Sequence, residues 1–187
     1  MLLNINFFYC QKCHYFCSYL LSNNIATKTL YLFAMKNKYT FDEFLHKAAS
    51  YCSVSEHCIS EIEIKLTAWD VLPTDREKII ICLKKDGFIN EQRFCTAFVK
   101  DKFRFNKWGK IKISLALKAK GLSKELIDNA VSLIDEDEYE EMLASILKTK
   151  LATISYKDEY EKCGKLFRFA QSRGFESSII EKVSRKL

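Results

Sequence analysis

Two short groups of residues carry side chains of the kinds that metal binding or catalysis requires. Cys10, Cys13 and His14 have the CxxCH spacing of c-type haem attachment, and with Cys17 they offer zinc ligands. Haem attachment requires export, yet the sequence shows no secretory signal, and the second ligand pair of a structural zinc site is missing nearby. We therefore predict no cofactor and no metal.

A second candidate is the adjacent pair His57 and Cys58. Consecutive residues of a helix point in different directions, so adjacency alone does not make a nucleophile and its base. His46 lies in the first predicted helix, and the sequence contains no GxxxxGK[ST] loop to cradle phosphates. We therefore predict that the protein is not an enzyme and has no catalytic residues.

Charge is distributed unevenly along the chain, whose net charge is +6. Residues 100–124 contain nine bases and one acid, whereas residues 135–141 contain six acids and no base. This asymmetry indicates a face for a polyanion or an acidic partner, the alternative being an ordinary solvated helix face. The candidate contact residues are Lys100, Lys102, Arg104, Lys107, Lys110, Lys112, Lys118 and Lys120.

Three aromatic residues, Phe103, Phe105 and Trp108, lie among these bases. Such residues stack on unpaired nucleobases in some proteins, but here we expect them in the core or between repeats. The acidic run fits a helix N-terminus, where the helix dipole favours carboxylates, and its docking on the basic face stays open. Whether Arg93 pairs locally with Glu91 or contacts a partner also stays open.

Composition favours an all-α fold, because 187 residues contain 48% hydrophobic residues but only five Gly and one Pro. Capping boxes are predicted at Thr40 and Thr74, and N-caps at Asn90 and Ser123. Apolar residues alternate with polar ones between residues 111 and 119, which is a strand period. A lone strand among helices would have no partner, so we predict a helix there.

Glycine followed by an apolar residue recurs at Gly87, Gly121 and Gly174. A glycine just past a helix adopts the left-handed conformation, and the next apolar residue packs back on the helix. The predicted contacts are Phe88 on Leu83, Leu122 on Leu117 and Phe175 on Ala170. The recurrence predicts an elongated array of three tandem three-helix repeats, at residues 35–88, 89–134 and 135–187.

Residues 1–34 contain no acid, and no apolar run in them reaches the ~20 residues of a membrane span. The segment MKNKYTFDEF, which begins at Met35, resembles the natural start of a protein chain. We therefore expect residues 1–34 to be an extension outside the functional domain. Cys52, Cys82 and Cys95 fall at or beside apolar helical positions, where free cysteines are typical. We therefore expect reduced thiols and a cytoplasmic protein that does not bind membranes.

Four segments together resemble the RecX family of regulators of the bacterial recombinase RecA: SEHCISEIEIKL (55–66), GFINEQRF (87–94), WGKIKI (108–113) and LKAKGL (117–122). The resemblance covers about residues 39–187. Its most specific positions are Gly87, Glu91, Arg93, Phe94, Gly109 and Gly121. The chain departs from the pattern where Trp69 and Asp70 stand in place of a glycine after the second helix.

The resemblance implies helix-turn-helix-like repeats and a monomer that lies along the groove of a RecA–DNA filament. It implies that filament extension is blocked or disassembly promoted, which places the protein in homologous recombination, DNA repair and the SOS response. It implies no catalysis by the regulator. The alternative hypothesis is a helix-turn-helix-like protein that binds single- or double-stranded DNA without RecA.

Overall fold

The structure is a computed structural model that describes residues 39–186. In this part of the chain the secondary structure consists of nine α-helices, without strands. They are α1 (Phe41–Val54), α2 (Ile59–Ala68), α3 (Pro73–Lys85), α4 (Glu91–Arg104), α5 (Lys110–Ala119), α6 (Lys124–Val131), α7 (Glu136–Leu151), α8 (Glu159–Arg173) and α9 (Ser177–Ser184). The expected extension at residues 1–34, with its CxxCH motif, lies outside the described residues.

The helices pack in threes, which confirms the all-α fold of three-helix repeats. Helix pairs with extensive contact belong to the same set: α1–α3 (repeat one), α4–α6 (repeat two) or α7–α9 (repeat three). Repeat one has its own core, built around residues such as Ile62, Leu66 and Leu83. Repeats two and three share a single core, to which repeat one adds Cys58.

The segment with the strand-like alternation is the helix α5, as predicted. Ile113 and Leu117 are completely buried, whereas Ile111 and Leu115 are 46% and 62% exposed. Residues four apart lie on one face of a helix, so the apolar residues divide between a buried and an exposed face. The alternation therefore came from a second, solvent-exposed apolar face and not from a strand.

Two of the predicted side-chain caps form, at Asn90 and Ser123. The Asn90 Oδ1 atom accepts from the Arg93 N–H at 3.0 Å, and the Ser123 hydroxyl accepts from the Leu126 N–H at 3.4 Å. The capping box predicted at Thr74 is wrong, because α3 already begins at Pro73 and its N-cap has no side-chain hydrogen bond. Proline suits the first helical position, since its φ is preset and its missing N–H would have no helical partner there.

Gly121 and Gly174 end the middle helices of repeats two and three with φ of 82° and 89°. The next N–H groups, of Leu122 and Phe175, bond back to the Leu117 and Ala170 carbonyls, and both side chains are buried, as predicted. Gly87 also has a left-handed φ, of 76°, but the residue that is buried after it is not the predicted one.

At Gly87 the second residue after the glycine enters the core. Phe88 remains 37% exposed, whereas Ile89 is 4% exposed. Both N–H groups donate to the Leu83 carbonyl, so the chain turns one residue further before it reaches the core. Ile89, and not Phe88, is therefore the apolar residue that is buried after this turn.

Repeat one ends its middle helix in the same way without a glycine. Asp70 has a φ of 58°, and the Val71 N–H donates to the Leu66 carbonyl at 3.1 Å. Val71 is 2% exposed, like its counterparts Leu122 and Phe175. Asp tolerates the left-handed conformation better than most residues, so the departure from the family pattern preserves the turn.

The middle helices of repeats two and three meet end to end. The Gly109 N–H donates to the Arg173 carbonyl at 2.9 Å, and the Ile111 N–H donates to the Gly174 carbonyl at 3.0 Å. The first N–H groups of α5 thus satisfy carbonyls at the C-terminus of α8, with the two helix dipoles head to tail. A Cβ atom on Gly109 would overlap the Gly174 carbonyl group, so this joint requires glycine.

Tyr139 of α7 fastens the same joint from the side. Its hydroxyl accepts from the Lys110 N–H at 3.0 Å and donates to the Glu176 carboxylate at 2.6 Å. Its ring is 1% exposed and stacks on Phe175 with 5.0 Å between centroids. Burial, reinforced by the hydrogen bond to Glu176, raises the pKa of Tyr139, so the hydroxyl stays protonated.

The joint between repeats one and two also brings the start of one middle helix, α2, to the end of another, α5, but it uses side chains. The Ser60 hydroxyl, in the first turn of α2, donates to the Lys120 carbonyl at the end of α5 at 2.7 Å. The Lys120 ammonium group contacts Glu61 at 2.6 Å. Burial alone would raise the pKa of Glu61, but hydrogen bonds from Lys120 and His57 outweigh it and lower that pKa. Glu61 therefore stays ionised at neutral pH and holds Lys120.

We predict that Gly109→Ala and Gly164→Ala change stability in opposite directions. Gly109→Ala should lower the free energy of unfolding by about 1–3 kcal/mol, since its methyl group meets backbone that cannot move aside. Gly164 lies within α8 with open space around it, so alanine there should add about 0.5–1 kcal/mol. Urea denaturation measures both, and a neutral Gly109→Ala would contradict the close joint.

Asp70→Gly should stabilise the protein, because glycine adopts the left-handed conformation without steric cost. We expect about 0.5–1 kcal/mol in the free energy of unfolding, and a loss of at least about 1 kcal/mol for Asp70→Val. Thermal and urea unfolding of the two variants against the parent chain give the comparison. Equal stability of the glycine and valine variants would show that the turn is not strained.

Tyr139→Phe keeps the stacked ring but removes the hydroxyl between Lys110 and Glu176. We expect a loss of about 1–3 kcal/mol in the free energy of unfolding, since a buried N–H loses its acceptor. Tyr160→Phe is the matched control, because Tyr160 is 90% exposed and should tolerate the same change. Equal effects of the two variants would argue against the role of the Tyr139 hydroxyl in the joint.

Candidate functional site

The eight predicted contact residues are distributed over α4, α5 and the turn between them, and the structure divides them into three groups. Three of them form ion pairs with acids of the neighbouring repeats. Lys110 pairs with Glu136 of α7, and Arg104 approaches Glu138 at 3.4 Å. Lys120 pairs with Glu61, as described above. Part of the acidic run thus does dock on the basic face, which the sequence had left open.

Two further lysines lie over aromatic rings. The Lys102 ammonium group is 5.2 Å from the centroid of the Phe98 ring and 5.6 Å from that of Trp108. The Lys112 ammonium group is 4.9 Å from the Trp108 centroid, and it donates to the Ser172 carbonyl at 3.3 Å. Such contacts hold the cations near the surface without neutralising them. Lys102 and Lys112 therefore retain their charge for a partner.

The remaining three, Lys100, Lys107 and Lys118, are exposed. Within residues 39–186 their side chains make no hydrogen bond or ion pair. Lys100 projects from the middle of α4, Lys107 from the turn after it, and Lys118 from the end of α5. These three are the cations most available to a partner, so we define them as the free lysines.

The aromatic residues among the bases differ in their environment. Phe103 is 3% exposed in the shared core, and Trp108 packs against that core, as predicted for both. The same prediction is wrong for Phe105, which is 81% exposed. Helix α4 ends at Arg104, so Phe105 leaves the buried stripe of the helix and enters the turn. Phe105 was predicted to lie in the core because the helical pattern of apolar residues was extended beyond the end of α4.

Arg93 links repeats one and two and does not pair with Glu91. Its guanidinium group donates to the Glu56 carboxylate at 2.8 Å and to the Gly87 carbonyl at 2.9 Å. Glu56 and Glu61 were not predicted as joint residues. An available signal was the alignment of HCISEI (57–62) with WGKIKI (108–113), which places Glu61 in the first turn of a middle helix and Glu56 shortly before it.

The residues with catalytic side chains are engaged in structural contacts. His57 stacks on Tyr51 with 4.1 Å between ring centroids, and its Nδ1 atom lies 2.8 Å from Glu61. Cys58 is completely buried, and the five cysteines of the described part are unpaired thiols, as expected for Cys52, Cys82 and Cys95. Burial raises the pKa of the Cys52 and Cys95 thiols, which disfavours the reactive thiolate.

Among residues 39–186 no group of three or more His, Cys, Asp or Glu side chains is placed to hold a metal ion. The same part of the chain contains no helix with the length and apolar character of a membrane span.

Comparison with known proteins identifies repeats two and three. Residues 90–131 match the family model described as "RecX, second three-helix domain", and residues 136–183 match "RecX, third three-helix domain". The chain is 33% identical over 127 residues to "Regulatory protein RecX" of Clostridium beijerinckii, which covers 67% of this chain and 58% of the relative. A Clostridium botulinum protein of the same name is 33% identical over 108 residues.

The chain thus spans about half the length of these relatives, 58% and 50% respectively. The crystal structure of RecX from Lactobacillus salivarius superposes with a TM-score of 0.71 at 21% identity. That match covers 79% of this chain and 96% of the other, and at this identity it shows a shared fold. The two domain matches, the sequence relatives and the fold agree, and we conclude that the chain belongs to the RecX family.

Proposed function

We propose that this protein inhibits the recombinase RecA by binding the RecA–DNA filament, where it blocks extension or promotes disassembly. The supporting relatives are named as regulatory proteins, and the second and third domains of their family match repeats two and three here. The observation that carries the proposal is the basic surface of repeat two, with its three free lysines. A filament of nucleic acid and protein is the polyanionic partner that such a surface suits.

We propose that the basic residues of repeat two have different tasks, according to whether they are paired within the protein. Lys110 and Lys120 bind acids of adjacent repeats, so their main contribution is to the joints. Lys100, Lys107 and Lys118 have no such partner in the described structure, and we propose that they contact the filament. Lys102, Arg104 and Lys112, which remain partly exposed, complete the surface.

We propose a monomer without catalytic activity that works in the cytoplasm through the three repeats delimited above. Inhibition then arises from occupancy of the filament surface. The existing ATPase of RecA provides the readout.

A DNA-binding protein that acts without RecA is the second candidate. The observation in its favour is the exposure of Phe105, which lies two residues before the free lysine Lys107 in repeat two. It predicts salt-sensitive DNA binding and an unchanged RecA ATPase, whereas the first candidate predicts ATPase suppression at substoichiometric protein. One titration of protein into RecA on single-stranded DNA separates the two. An unchanged ATPase at saturating protein would overturn the RecA proposal.

Replacing the three free lysines by glutamine should weaken inhibition without disturbing the joints. If each exposed contact contributes about 0.5 kcal/mol, the half-inhibitory concentration should rise about tenfold. The matched control replaces Lys84, Lys85 and Lys148, which are exposed and equally without ion pairs in the described structure, and changes the net charge by the same amount. Equal inhibition by the two triple variants would exclude a specific role for the free lysines.

A further inference from the structure

Phe105 is the most exposed phenylalanine side chain that the structure describes, at 81%. It follows Arg104, the last residue of α4, in a turn that leads to α5 at Lys110. Single exposed apolar residues are common on protein surfaces, so exposure alone would carry little weight. The hydrogen bonds of the turn and the cations of the same segment distinguish this position.

The backbone around Phe105 is held on both sides. Its own N–H donates to the Asp101 carbonyl at 3.0 Å, and the Trp108 N–H donates to the Lys102 carbonyl at 3.0 Å. The next residue but one, Lys107, has a left-handed φ of 54°, which completes the reversal. From repeat three, the Arg173 guanidinium group donates to the Asn106 carbonyl at 3.1 Å. The ring is therefore presented from an ordered turn, and binding there would require little further ordering.

The net charge of the segment that carries Phe105 favours an anionic ligand. Residues 100–107 contain four cations and one acid, Asp101. Lys100 and Lys107 are free lysines, and Arg104 keeps 60% of its side chain exposed beside Glu138. A flat apolar ring among exposed cations matches the alternation of bases and phosphates in a nucleic acid strand.

Another exposed aromatic residue provides a contrast. Tyr160 in α8 is 90% exposed, but its neighbours in sequence are Glu159 and Glu161. Residues 157–164 contain three acids and two bases, and Glu159 and Glu161 pair with Lys162 and Lys165. Tyr160 therefore serves as an internal control for an exposed ring without an excess of positive charge.

We propose that Phe105, with Lys100, Arg104 and Lys107, forms a binding site for an unpaired strand of nucleic acid. The ring stacks on one base, and the cations contact the phosphates on either side of it. A base inside a duplex has both faces covered by its neighbours, so the site selects single strands. This site requires no recombinase, and it stands or falls separately from the action on the filament.

The first test measures binding of a fluorescent oligothymidine by anisotropy, with the full chain and no recombinase present. The strand has about 12 nucleotides, within the ~4–16 nucleotides that strand-binding sites cover. Phe105→Ala should weaken binding about tenfold, while Phe105→Trp should retain it, because any aromatic face stacks. Tyr160→Ala is the control and should leave the affinity unchanged.

A strand that lacks its bases separates stacking from attraction to phosphates. The parent chain should bind an abasic strand of the same length about as weakly as Phe105→Ala binds oligothymidine. Phe105→Ala should then show no preference between the two strands. Lys107→Gln should weaken binding of both strands and reduce the slope of log affinity against log salt by about 0.7.

Three results would overturn the site: equal affinity of Phe105→Ala and the parent chain for oligothymidine, no discrimination against the abasic strand, or an equal loss in Tyr160→Ala. Circular dichroism confirms that the surface variants are folded. If Phe105→Ala keeps its affinity for the strand but loses RecA inhibition, the ring contacts a protein instead. If the parent chain binds strands through Phe105 but leaves the RecA ATPase unchanged, only the filament proposal fails.

Discussion

The end-to-end contact between α5 and α8 is the constraint on which the arrangement of repeats two and three depends. Two N–H groups at the start of one helix donate directly to two carbonyls at the end of another. This contact requires two backbones to approach closely, which Gly109 and Gly174 permit, and Gly174 also ends α8 in the left-handed conformation. Tyr139 then buries the joint under its ring and satisfies one more N–H group of α5.

The joint to repeat one follows the same plan with different chemistry. Cys58 stands at the N-cap of α2, where Gly109 stands in α5, and its side chain is buried in the core of repeats two and three. The Ser60 hydroxyl and the Glu61 carboxylate reach the end of α5 in place of backbone N–H groups. The joint between repeats one and two thus uses side chains where the joint between repeats two and three uses backbone groups, and ion pairs flank both joints.

Both joints use basic residues of repeat two, and these residues therefore do not form a uniform surface. Lys110 and Lys120 stand at the two ends of α5, where each joint brings an acid from a neighbouring repeat. The cations left over belong to the exposed sides of α4 and α5 and to the turn between them. The turn places Phe105 among these cations because α4 ends one residue before it.

The sequence by itself determined the helices, the caps at Asn90 and Ser123 and the turns at Gly121 and Gly174, because these depend on residues within a few positions of one another. Position 70 adopts the same turn through Asp, although the sequence offered no glycine there. Only the tertiary structure decided which bases are paired, which partner Arg93 has and that Phe105 is exposed. Those outcomes depend on acids 26 to 59 residues away and on where a helix stops, which no local pattern specifies.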